Sequence, residues 1–142
     1  MKTAFWIVAV LIAATAIWVR VAPFDARRWH VDPADAPEQR PGAYKAQLEV
    51  PEMSPEDALA LVQAIAEGSP RTKQLFGTVQ EGRISFLTRS RFWGFPDVTT
   101  VSARRTDAGT ELIFYARLRF GGDDMGVNRA RVKSWISSLQ ER

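Results

Sequence analysis

The chain opens on a stretch with no hydrophobic period at all. Ala4–Val19, AFWIVAVLIAATAIWV, runs without a charge. With Val21 and Ala22 it reaches the length of a membrane-spanning helix, about 20 residues, if Arg20 snorkels to the headgroups. Trp6 and Trp18 lie near its ends, where aromatic belts form. Residues 1–22 are therefore expected to be a transmembrane anchor. A cleaved signal peptide competes, because Ala14-Thr15-Ala16 is a small-x-small site; the mature chain would then begin with Ile17, Trp18 and Val19. Lys2 on one side and Arg20, Arg27 and Arg28 on the other leave the charge rule ambiguous. A short polar head before a long tail favours a cytoplasmic N-terminus. The expectation is a single-pass protein of a bacterial inner membrane, its remainder on the periplasmic side.

From Pro23 to Ala43 neither a helical nor a strand period is visible. Four prolines (Pro23, Pro33, Pro37, Pro41) fall among Asp, Arg and Ala, which reads as an extended tether spanning up to roughly 60 Å. Within residues 23–43, Arg28-Trp29-His30-Val31-Asp32-Pro33 stands apart. A tryptophan beside the only histidine has two destinations, the folded domain or the lipid interface. His30 with Asp32 and Asp35 is a thin ligand set on a flexible segment, so neither metal nor cofactor is assigned.

Residues 44–142 carry the pattern of a folded domain. Tyr44–Val50 alternates, with Tyr44, Ala46, Leu48 and Val50 on one side, as a short strand does. Ser54-Pro55-Glu56-Asp57 starts a helix whose apolar face is Ala58, Leu61, Val62 and Ile65; Gly68 and Pro70 stop it. From Thr72 the period becomes two. Thr72–Gln80, Arg83–Phe92, Val98–Arg105 and Thr110–Phe120 read as strands joined by turns at Glu81-Gly82, Gly94–Asp97 and Thr106–Gly109. In the last, Leu112, Phe114, Ala116, Leu118 and Phe120 face inward, and Glu111, Ile113, Tyr115, Arg117 and Arg119 outward. The final helix is expected from Asn128, as N-cap, to about Gln140. Val127 and Val132 would form a hydrophobic staple, and Val132, Trp135, Ile136 and Leu139 its buried stripe. The order strand, helix, four strands, helix predicts an α+β two-layer sandwich. An antiparallel sheet of about five strands would carry both helices on one face.

Charge narrows the partners. Subtracting Lys2 and Arg20 from the net +3 leaves +1 for the rest of the chain, so no nucleic-acid partner is expected. Fifteen of the 19 basic residues are arginine, which suits anion recognition and is equally what a GC-rich genome yields. There is no cysteine, which excludes a disulfide framework, a thiolate nucleophile and Cys-ligated zinc.

The densest polar segment, Arg119–Arg131, joins the last strand to the last helix and reads RFGGDDMGVNRAR. A late strand ending in Arg119, then Gly121, Asp124, Gly126-Val127-Asn128 and Arg131, resembles the hallmark of an uncharacterised family, domain of unknown function 1499, found in bacteria and plants. Phe95 and Asp97 match its aromatic-then-Asp turn. Ala22-Pro23-Phe24-Asp25 to Pro33 looks like the juxtamembrane stretch of its membrane-anchored members. The likeness spans about Tyr44–Leu139 plus the tether. Members often have small hydroxyl residues around the arginine where this chain has Ala116 and Leu118, which argues against a hydroxyl-dependent site. The resemblance implies no catalytic residue.

Three chemistries stay open. In the first, Arg89, Arg91, Arg117 and Arg119, interleaved with Tyr115 and Trp93, make the outward sheet face a non-catalytic surface for anions or lipid headgroups. The amides at the Asn128 helix start would help, and the membrane is the partner. The plainer account of the same residues is a solvated face, its arginines paired with Glu111 and Asp97. Asp124, Gly126, Asn128 and Arg131 then lock the turn, with Asp124 bonding Arg119 or Arg131. In the second, a lipid or small hydrophobic ligand lies between the sheet and the C-terminal helix, in a cavity beneath Trp135 and Phe114. In the third, Asp97, Asp123 and Asp124 serve a carboxylate-dependent hydrolase. With no histidine in the domain, no phosphate-cradling glycine motif and no nucleophile elbow, no catalytic residue is assigned. No protein partner is legible.

Overall fold

A computed structural model describes residues 1–38 and 40–142. Lys2–Val21 is one helix, α1, long and apolar enough to cross a membrane, and its large side chains from Phe5 to Val21 stand mostly exposed. A short helix α2 (Ala26–Trp29) and a 3₁₀ turn (Pro33–Asp35) follow. The domain then runs β1 (Ala43–Pro51), α3 (Pro55–Glu67), β2 (Thr72–Thr78), β3 (Arg83–Arg89), β4 (Pro96–Thr106), β5 (Gly109–Leu118) and α4 (Val127–Gln140). The strands form one antiparallel sheet in the order β1-β5-β4-β3-β2. The α+β architecture is the one the periodicities predict.

One sheet face carries the core. Ile84, Phe86, Val101, Leu112 and Phe114 meet Leu59 and Val62 of α3 and Val132 and Trp135 of α4. Ser54 caps α3, its Oγ accepting the Asp57 amide at 3.1 Å, with Pro55 opening the first turn. The Trp135 ring stands edge-on to Phe86 at 5.6 Å and its indole N–H donates to Ser69 Oγ at 2.9 Å. Trp135 and Phe114 are both buried in this layer, filling the space that a hydrophobic-ligand carrier would leave open. Strand β3 ends at Arg89, short of the expected Phe92, because Arg89 pairs with Pro96 and proline offers no N–H to extend the ladder.

The second face departs from expectation. Residues 23–38 are not an extended tether; they fold back as a strap across the sheet. Trp29, Pro33 and Ala36 are buried there. Asp25 starts α2 by accepting the Arg27 amide at 3.0 Å, and Asp32 accepts the Ala34 amide at 2.9 Å to start the 3₁₀ turn at Pro33. Lys45 of β1 donates to the carbonyls of Ala34 and Ala36 at 3.1 and 2.9 Å. The physical reason lies in the sheet. Leu87, Val98, Ile113 and Tyr115 alternate with Ser85, Thr100 and Ser102 on this side, a face too apolar to be left in water.

Candidate functional site at the basic end of the sheet

In an antiparallel sheet, strand starts and strand ends meet. The registers Thr72↔Thr88, Arg89↔Pro96, Asp97↔Leu118 and Ala43↔Arg117 gather one end of every strand, and α1 arrives at that end. Two of the predicted arginines meet it, and a third holds the strap that follows. Arg89 donates to the carbonyls of Arg20 at 2.9 Å and Gly94 at 3.0 Å. Arg119 donates to those of Ala22 and Pro23, both at 2.8 Å, and lies over the Phe24 ring at 4.2 Å. Arg117 donates to those of Arg28 at 3.2 Å and Trp29 at 2.6 Å. The last carbonyls of a helix lack intrahelical donors. Arg89 supplies charged ones at the negative end of α1.

The open arginine face is therefore corrected. Tyr115 is 2% and Arg117 9% exposed, covered by the strap whose carbonyls the arginines hold. Neither expected carboxylate pairs with them: Glu111 binds Arg104 at 2.6 Å and Asp97 binds Arg131 at 3.3 Å. Burial pulls the Arg117 pKa below its usual value, opposed by Tyr115 and reinforced by the charges of Arg40 and Arg28; arginine remains charged throughout. Arg119 is lowered too, by burial first and then by Arg28 and Arg89.

The strand-to-helix turn also differs in detail. Gly126, at φ +79°, is the N-cap, so α4 begins at Val127 and Asn128 falls inside the first turn. Asp124 does the capping, accepting the amides of Gly126 at 3.1 Å and Asn128 at 2.6 Å. It bonds neither Arg119 nor Arg131. Val127 is left half exposed, so no staple forms on Val132. The fully buried Asn128 accepts from Arg131 at 2.7 Å, and Arg131 continues to Asp97. Burial raises the Asp97 pKa; Arg131 opposes this and Asp124 adds to it. Asp123 accepts the Met125 amide at 2.9 Å.

His30, on the inner side of the strap, places Nδ1 2.8 Å from Ser85 Oγ in a hydrogen bond, while Arg83 donates to Nε2 at 3.4 Å. Burial and then Arg83 lower its pKa, outweighing Glu81 at 4.0 Å, so the fold favours the neutral ring. Among the described residues no group of three His, Cys, Asp or Glu side chains is placed to hold a metal.

Arg91 and Trp93 lie outside the strap, in the β3–β4 turn. There a cleft of about 510 Å³ is lined by Arg20, Arg71, Lys73, Arg89 and Arg91, and among the described residues no carboxylate lines it. Beside it, Trp93 and Phe95 face Val8, Ile12, Ala16 and Val19 of α1 across an apolar groove of about 430 Å³. Gly94, at φ +70°, joins the two; a Cβ there would stand 3.2 Å from the Arg20 guanidinium. Sequence reasoning missed Arg71 and Lys73, because only the register brings the start of β2 beside the end of β3. Arg20 was legible as a snorkelling cation but not as part of a cleft. A smaller pocket, about 160 Å³, lies between strap and sheet and is lined by Arg28, Arg40, Arg117 and Arg119 with Gly42 and Gly121.

A family model described as "Protein of unknown function (DUF1499)" matches residues 21–139, including the strap. Protein MLL2253 from Mesorhizobium loti superposes with a TM-score of 0.54 at 10% identity, over 70% of this chain and 94% of that one, a likeness of fold alone. Protein CV1439 from Chromobacterium violaceum aligns with a TM-score of 0.48 at 13% identity, over 71% of this chain and 94% of that one. No curated protein matches the chain.

Proposed function

The chain belongs to the DUF1499 family of proteins of unknown function, and we propose that it is a membrane-anchored, non-catalytic module that seats the basic end of its sheet on anionic lipid headgroups. In this reading α1 crosses a bacterial inner membrane once and the domain lies on the periplasmic side. One observation carries it: the cleft of Arg20, Arg71, Lys73, Arg89 and Arg91 opens where α1 leaves the sheet, with no carboxylate among its described lining residues. Arg89 is committed to carbonyls, whereas Lys73 and Arg91 have no hydrogen-bond or ion-pair partner among the described residues. Each basic side chain near an anionic surface contributes about 1 kcal/mol. The four besides Arg89 would then contribute on the order of 4 kcal/mol, enough to select lipid. Phe92 and Trp93, 82% and 61% exposed, extend from the same turn as interfacial aromatics do.

The test is lipid selectivity of the full-length protein in mixed micelles of phosphatidylglycerol and phosphatidylcholine. Retention of phosphatidylglycerol in excess, lost at high salt and in Lys73→Gln/Arg91→Gln, supports headgroup binding. Equal retention of both lipids overturns it.

A further inference from the structure

We infer that Arg28, Arg40, Arg117 and Arg119 form a second, separate site, built for a single phosphate-like oxyanion and closed by the strap. The pocket they line, with a volume of about 160 Å³, has room for about five waters at roughly 30 Å³ each. It is well below the roughly 300–1,000 Å³ of sites for larger organic ligands. A tetrahedral oxyanion with its first waters fits that size.

Charge makes the same selection. Four guanidinium groups line the pocket, and among the described residues no carboxylate does. Two are fixed: the terminal nitrogens of Arg117 hold the carbonyls of Arg28 and Trp29, and those of Arg119 hold Ala22 and Pro23, so neither can swing out to water. Arg117, 9% exposed, keeps its Nε–H buried and without a partner. A buried donor left unsatisfied is costly, and a ligand acceptor reaching it would remove that cost. Arg28 and Arg40 have no ion-pair partner among the described residues; they are the exposed pair, placed to close on an anion with forked hydrogen bonds. Burial weakens the hold of Arg117 on its proton, and the charges of Arg40 and Arg28 add to that effect. A phosphate of about −2 charge reverses the sign of that interaction.

The phosphate-like group has two sources, a free phosphate from the aqueous side or a phosphomonoester headgroup from the bilayer, since Arg119 also touches the end of α1. The experiment uses full-length protein in nanodiscs of phosphatidylcholine, titrated with inorganic phosphate against chloride at matched ionic strength. Calorimetry and thermal unfolding follow the titration, which is repeated in discs containing phosphatidic acid. Saturable binding of one phosphate per chain, weakened at least tenfold in Arg28→Gln/Arg40→Gln, establishes the site with a soluble ligand. Stabilisation by phosphatidic acid alone, lost in the same variant, establishes it with a lipid one. Arg28 and Arg40 are exposed, so their replacement leaves the core intact. Lys73→Gln/Arg91→Gln separates this site from the headgroup cleft: it abolishes selectivity for phosphatidylglycerol and keeps phosphate binding. No response to phosphate or phosphatidic acid, or a response that survives Arg28→Gln/Arg40→Gln, overturns the inference.

Discussion

Arg117 donates to the carbonyl of Trp29 at 2.6 Å, across 88 residues of sequence, and lies over the same residue's indole at 5.0 Å. One side chain thus provides both the polar and the stacking contact that pin the strap to β5. Hydrogen bonds to charged groups contribute about 1.5–3 kcal/mol. Arg117→Met should therefore lower the unfolding free energy by about 2–3 kcal/mol and speed hydrogen exchange at the strap amides. Arg117→Lys should recover only part, because an ammonium cannot reproduce the fork. Unchanged exchange around His30 in Arg117→Met would mean that something else holds the strap.

The neutral His30 makes stability depend on pH. Its pKa is lowered in the fold by burial and then by Arg83, from an ordinary 6.5. As pH falls through about 6.5 the unfolded chain takes up a proton that the folded chain refuses, so stability declines until the folded pKa is passed. The melting temperature should therefore drop between about pH 7.5 and pH 5, and His30→Gln should flatten that drop. Asp97 works in the opposite sense at lower pH. Its raised pKa lets the folded state bind a proton before the unfolded one does, which adds stability as pH approaches about 4.

Asp124 and Asn128 separate two kinds of loss. Asp124→Ala removes a cap from two amides of an exposed turn and should cost about 1 kcal/mol. Asn128→Ala removes a fully buried acceptor and leaves Arg131 with Asp97 alone, for which about 2 kcal/mol is expected. Chemical denaturation of both variants should rank them in that order; the reverse order would move the weight of the turn onto Asp124.

Gly77 lies just past the β2 irregularity at φ +79°, where a Cβ would meet the Arg83 carbonyl and stand 2.5 Å from His30 Cε1. Gly77→Ala should cost at least about 2 kcal/mol through left-handed strain and the displaced ring. It should also move the titration midpoint of the only histidine back toward 6.5, read by NMR. A midpoint that stays put would show that the ring does not depend on this approach.

What the sequence disclosed was whatever is local. Ser54, Pro55 and Gly68 bracket α3 within one continuous stretch, and Ile84, Phe86, Leu112 and Phe114 announce their strands by simple alternation. The strap was hidden because Trp29, Pro33 and Ala36 follow no period; what buries them is the opposite sheet face. The clue lay there, in Leu87, Val98, Ile113 and Tyr115, a row too apolar to stay uncovered. Asn128 misled because Asp124-Met125-Gly126-Val127-Asn128 offers two capping side chains, and the left-handed glycine decides between them. The basic cleft needs Arg20, Arg71 and Arg91, which only the strand register assembles.

The clasp at the end of α1 has a mechanical consequence. Arg89 and Arg119, from two different strands, hold the carbonyls of Arg20, Ala22 and Pro23, so helix and sheet share no free hinge. A 20-residue helix is about 30 Å long, and as the proposed membrane span it would tilt in a thinner bilayer. A loose linker would absorb that tilt. With α1 in a bilayer, as proposed above, the tilt passes whole into the domain, so hydrophobic mismatch would set the angle at which the sheet meets the bilayer surface, and bilayer thickness would become a quantity this protein can report.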